Sequence, residues 1–125
     1  MKVALLQKNK PVSIDVSIGL AERGSYVVSW WDTAKTEWQE LAKGNSWDGI
    51  EDKFPAGIST AKLDGVDLGW KIGIIKENPG EFYRAAFRIL QDDKPVEGGA
   101  WVYEDRLKPD DNFARIRGLV RLVVK

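Results

Sequence analysis

The chain reads as an all-β protein, an antiparallel β-sandwich of jelly-roll or immunoglobulin-like type with about nine strands, and three observations carry that reading. Apolar side chains recur at every second position in several stretches, clusters of Gly, Pro, Asn and Asp separate those stretches at short spacing, and helical periodicity is confined to short windows. At 125 residues the chain has the length of one domain and buries an ordinary hydrophobic core without disulfide or metal staples. A single domain over residues 1–125 is therefore expected, with no repeat, low-complexity run or linker to divide it.

Taken in order, MKVALLQKNKP offers only Val3 to Leu6 as an apolar run before Gln7, far short of the hydrophobic region of a signal peptide. No stretch approaches the roughly 20 apolar residues of a membrane-spanning helix, so a cytoplasmic protein without a membrane partner is expected. After the Asn9-Lys10-Pro11 punctuation, Val12, Ile14, Val16, Ile18 and Leu20 alternate with Ser13, Asp15, Ser17, Gly19 and Ala21, which describes a strand with one buried and one wet face. Tyr26, Val28 and Trp30 then alternate with Ser25, Val27, Ser29 and Trp31. Asp32-Thr33-Ala34-Lys35 can turn the chain so that Thr36 to Ala42 pairs back as a hairpin. A helix competes there, with Ala34, Trp38, Leu41 and Ala42 on one face, Asp32 as N-cap and Gly44 as C-cap, but the β context on both sides favours the hairpin.

NSWDGIEDKFP reads differently. Trp47, Ile50 and Phe54 recur at helical spacing, Asn45 or Ser46 can cap, Asp48 lies in the first turn and Pro55 stops the run, so a short helix is expected near residues 46–53. Beyond Asp64-Gly65, Leu68, Trp70, Ile72 and Ile74 share one side of a strand, and Tyr83, Ala85, Phe87 and Ile89 one side of the next, with Asn78-Pro79-Gly80 linking the two as a hairpin. Asp92-Asp93-Lys94-Pro95 turns into VEGGAWVYED, where Gly98-Gly99 inside a strand pattern predicts a bulge. In the last strand Ala114, Ile116, Val120, Leu122 and Val124 oppose Arg115, Arg117, Arg121 and Lys125.

The chain carries 19 basic and 19 acidic residues, so no global charge draws it to nucleic acid or anionic lipid. With no cysteine and no histidine it lacks a thiol nucleophile, a cysteine zinc site and the commonest general base, and no Gly-x-Ser-x-Gly elbow is present. The acids cluster as Asp48, Glu51 and Asp52; Asp64 and Asp67; Asp92 and Asp93; and Asp105, Asp110 and Asp111. They fit turn chemistry and show no EF-hand spacing, so no metal and no cofactor is expected.

The tryptophans sort by parity. Trp30 and Trp70 join apolar strand-mates and belong to the core, and Trp47 is expected to pin the short helix. Trp31 shares its parity with Ser25, Val27 and Ser29, while Trp101 and Tyr103 share theirs against Ala100 and Val102, which leaves open which pair faces outward. An uncovered indole is a rigid apolar plane with a polar rim, on which the C–H face of a sugar stacks while nearby carboxylates and amides hold its hydroxyls. Trp31, Asp32, Trp38, Gln39 and Glu40 supply such groups around one hairpin, with Trp101 and Tyr103 as further candidates. A second constellation is Arg84, Arg88, Arg115, Arg117 and Arg121, outward by parity, which forms an anion or partner face if their strands adjoin, or pairs across strands with Asp15, Glu37, Glu40 or Glu104. The expectation is a non-catalytic, lectin-like module for a carbohydrate or polyol. The alternatives are a protein-interaction subunit that forms an oligomer through strand edges and a Trp/Arg face, and a carboxylate-dependent hydrolase.

Overall fold

The computed structural model describes residues 1–19 and 23–125. Among these the chain forms strands β1 (Val3–Leu6), β2 (Ser13–Ile18), β3 (Arg23–Asp32), β4 (Glu37–Ser46), β5 (Ile50–Pro55), β6 (Asp67–Ile75), β7 (Phe82–Gln91), β8 (Lys94–Arg106) and β9 (Phe113–Val124), with the short helix α1 (Thr60–Leu63) between β5 and β6. Hydrogen bonding orders them β4-β3-β6-β9-β1-β8-β7-β2-β5 in one nine-stranded sheet. β1 runs parallel to β9 while the other pairs are antiparallel, so the sheet is mixed.

The two ends of that order, β4 and β5, are consecutive in the chain, and the Tyr26 hydroxyl on β3 donates to Asp52 Oδ2 on β5 at 2.7 Å. The sheet thus curls until its edges almost meet, and the expected sandwich of two separate sheets is replaced by a nearly closed barrel. The cause is β1, which carried no strand signal beyond a short apolar run. It pairs with β9 from Val3↔Arg121 to Leu6↔Val124 and with β8 at Leu5↔Glu97, bridging what would otherwise be two sheets. The Gly98-Gly99 bulge makes this possible. The register of β7 against β8 shifts between Arg88 and Leu90, Gly98 adopts φ +73°, and a Cβ there would collide with the Val3 carbonyl.

The alternating residues fill the interior. Ile14, Val16 and Ile18, Leu68 to Ile74 at every second position, Ala85, Phe87 and Ile89, and Ile116, Val120 and Leu122 are all buried, each large aliphatic contributing roughly 1.5–3 kcal/mol. Leu20 and Ala21, the last members of the β2 alternation, lie outside the described residues. Trp70 stacks on Phe87 at 4.0 Å and 11° and meets Trp101 at 4.5 Å. Gly118 on the neighbouring strand provides the room, since a Cβ there would enter the Trp70 ring.

The Asp32–Lys35 turn does join β3 and β4 as a hairpin, and Asp92 and Asp93, at φ +53° and +59°, join β7 and β8. Two other expectations are corrected. Residues 46–53 form no helix: Ile50–Pro55 is a strand whose whole length pairs with β2, from Ser13↔Pro55 to Ile18↔Ile50. Ile50, Asp52 and Phe54 fit a period of two as well as a helical one, and the unpaired edge of β2 decides between them. Trp47 consequently pins nothing and is 68% exposed, with the Arg23 guanidinium 5.4 Å above its ring. Asn78-Pro79-Gly80 turns the chain but makes no hairpin, because β6 pairs with β3 and β9 whereas β7 pairs with β2 and β8. No helix among the described residues is long and apolar enough to cross a membrane.

Candidate ligand-binding face

Strand parity sends Arg23, Ser25, Val27, Ser29 and Trp31 of β3 to the side opposite the core residues Tyr26 and Val28. Register then decides their neighbours. Trp31 stands opposite Trp38 on β4, and the two indoles meet edge to face at 5.5 Å and 72°. Trp38 reaches over β3 to Gly69 on β6, where a Cβ would lie in ordinary contact, 3.5 Å from its ring. Trp38 remains 48% exposed. The pair is therefore an open corner, with one indole laid across the sheet and the other set against its edge. Ser29 and Glu40 lie one row further along, opposite each other.

The remaining residues of the expected sugar site divide. Asp32 Oδ1 accepts from the Ala34 and Lys35 amides at 3.0 and 3.3 Å and so shapes the turn. Gln39 pairs in register with Trp30, on the core-facing parity, and donates to Glu37 Oε1 at 2.7 Å. Trp101 and Tyr103 are not brought to this corner. Both pack half-buried against the core, and the Tyr103 hydroxyl accepts a hydrogen bond from Trp70 Nε1 at 3.0 Å. Burial holds the Tyr103 phenol above its ordinary pKa, so it stays a neutral hydroxyl. Parity left the direction of the Trp101/Tyr103 pair open because the bulge just before it resets the phase of the strand.

The arginines divide too. β7 and β9 are separated by β1 and β8, so the five do not merge into one patch. Arg84 bonds Glu104 at 2.7 Å, Arg88 lies 3.6 Å from Asp15, and Arg121 bonds Asp67 at 2.8 Å. Arg115 and Arg117 make no ion pair among the described residues. They share their face with two lysines that sequence reading passed over. Lys43, Val27, Lys71 and Arg117 fall in one row across β4, β3, β6 and β9, and Ser25, Gly73 and Arg115 fill the next. Both lysines have the outward parity of their strands, a visible signal, but their alignment with Arg117 depends on strand order.

No family model and no curated protein matches the chain. Among solved structures, it is similar to a domain of unknown function, DUF4425, from Bacteroides vulgatus, at 10% identity and a TM-score of 0.49, covering 88% of this chain and 94% of that one.

Two shallow depressions of about 500 and 280 Å³ adjoin on this face and share Ser25, Gly73 and Arg115. A larger cleft of about 690 Å³ lies at α1, between Lys8–Val12 and Gly57–Ala61, and is lined mainly by small and apolar groups. No group of three or more acidic side chains among the described residues is placed to hold a metal ion. The acids are engaged elsewhere: Asp52 with Tyr26, Asp64 with the Val124 amide, Asp92 with Lys10 and Asp93 with Lys53.

Proposed function

We propose that the protein is a non-catalytic binding module that recognises a carbohydrate or polyol on the outer face of β3 and β4. The observation that carries this reading is the open indole corner of Trp31 and Trp38, with Ser29 and Glu40 beside it to hold hydroxyl groups. A preformed aromatic surface costs little conformational entropy on binding, and an edge-to-face pair holds its own geometry. The test is a broad glycan panel read by tryptophan fluorescence and calorimetry. A hit is expected, weakened about tenfold or more in Trp38→Ala and in Trp31→Ala while both variants keep their fold by circular dichroism. A blank panel, or undiminished binding in both variants, overturns the proposal.

Assembly is the second reading, and one observation favours it: Val27, Ile75, Phe113 and Leu119 are exposed on the same face. A symmetric oligomer that covers them is its expected outcome in light scattering, and a strict monomer at high concentration removes it.

A further inference from the structure

The row Lys43, Val27, Lys71, Arg117 has an unusual electrostatic property. Lys71 and Arg117 are direct cross-strand partners, and like charges so placed oppose strand pairing. Neither they nor Lys43 and Arg115 have a carboxylate partner among the described residues, whereas Lys10, Lys53, Arg84, Arg88, Arg121 and Lys125 all do. Lys43, Lys71, Arg115 and Arg117 thus adjoin on one face without an acid partner, although the chain as a whole is neutral. Below them the surface is low, with Ser25 and Gly73 as floor and the two joined depressions above it.

We propose that the ligand of this face is an acidic oligosaccharide, bearing carboxylate or sulfate groups, that lies from the indole corner to the basic row. The inference rests on the carbohydrate reading given above and names the ligand's chemical class. Four residues of β3 separate Trp31 from Val27, about 13 Å, and the row spans roughly 14 Å over three strand spacings. That is more than one sugar ring covers, so the occupant is a chain with repeated anionic groups. One unit stacks on Trp38, and later units set their anions against Lys71, Arg117 and Arg115. The guanidinium forks accept carboxylate or sulfate through paired N–H donors, and the ligand's negative charge relieves the repulsion between Lys71 and Arg117.

Single-stranded nucleic acid also seeks cations beside aromatic rings, but it needs several open rings in succession. Here the rings at the far end of the face stay exposed but each has an arginine over it, Trp47 with Arg23 at 5.4 Å and Phe113 with Arg115 at 5.6 Å. Of these three rings Trp38 is the one without a cation over it, which suits a sugar chain held mainly by its charges and hydroxyls.

The experiment compares the intact protein's affinity for oligogalacturonate, a sulfated dextran oligomer, the neutral parent dextran oligomer and oligo-dT, at about 50 and about 500 mM salt. The expected result is preference for an acidic glycan, at least about tenfold weaker at the higher salt, and a similar loss in the double variant Lys71→Gln, Arg117→Gln. Trp38→Ala should weaken the same binding, and the double variant should melt no lower than the parent because it removes a repulsion. If neutral and acidic glycans bind equally, without salt dependence but still through Trp38, the charge inference fails while the carbohydrate reading stands. If no glycan binds, both fail, and tighter binding of oligo-dT replaces both with a nucleic-acid face.

Discussion

The barrel wall has two charged outer faces built from the same residue types, and they differ in what lies opposite each charge. On β5, β2, β7 and β8, register sets Asp15 between Lys53 and Arg88, and Arg84 opposite Glu104. On β4, β3, β6 and β9, it sets Lys71 opposite Arg117 and places Val27 between Lys43 and Lys71. The first face pairs its charges throughout this stretch, and the second, apart from the Asp67–Arg121 pair, keeps a basic row with no acid opposite it over a low floor. Composition cannot distinguish them, since both draw on one balanced pool of charges. Whether an arginine is ion-paired or left without an acid is thus a property of its cross-strand neighbour.

Four variants break or sharpen this contrast. Trp70→Ala has the largest effect, because both faces are the outside of one core: about 3–5 kcal/mol should be lost in denaturant unfolding, and the two faces should fail together. If they fail separately, the walls are independent folding units and the contrast loses its common scaffold.

Tyr26→Phe comes next, since the Tyr26–Asp52 bond ties the two walls at the seam; a cost of about 1–2 kcal/mol is expected. Burial first, then the bond to Asp52 and its charge, raise the Tyr26 pKa above its ordinary value of 10.0. The unfolded chain therefore releases that proton first, so this part of the stability is complete below about pH 10 and declines as pH rises toward the folded pKa. Tyr26→Phe should flatten the alkaline decline without abolishing it, because Tyr83 and Tyr103 are raised as well. An unchanged alkaline profile would show that the seam bond does not contribute to it.

The two smallest effects have opposite signs. Asp15→Asn should destabilise by about 0.5–1 kcal/mol, because Arg88 loses its acid and then stands beside Lys53 across β2 without a negative charge between them. Lys71→Glu should stabilise by about 0.5 kcal/mol by giving Arg117 an opposite partner, while it weakens any acidic ligand. Equal signs in thermal melts would mean that the faces are not electrostatically distinct.

Much of the fold was legible from the residues. Ile14, Val16 and Ile18, the run Leu68 to Ile74, and the parity of β9 are buried as the period of two requires, because a strand has only two sides and water sorts them. The hairpin at Asp32–Lys35 and the bulge at Gly98-Gly99 were legible because turn and bulge chemistry is local. The segment 50–55 was not, since its apolar spacing suits helix and strand alike and only the edge of β2 breaks the tie. The candidate site was half legible. The sequence placed Trp31 and Trp38 around one hairpin, whereas their direct pairing depended on register, Lys43 and Lys71 went unnoticed and Trp101 was left facing either way.

The amino-acid sequence by itself determined which side chains each strand hides and where the chain turns, because burial and backbone preference act within a few residues. Tertiary structure alone decided that β1 would join two walls into a near-closed barrel, that Arg88 would meet an acid, and that Arg117 would meet a lysine. Those outcomes depend on which distant segments share hydrogen bonds, and local periodicity carries no information about the partner.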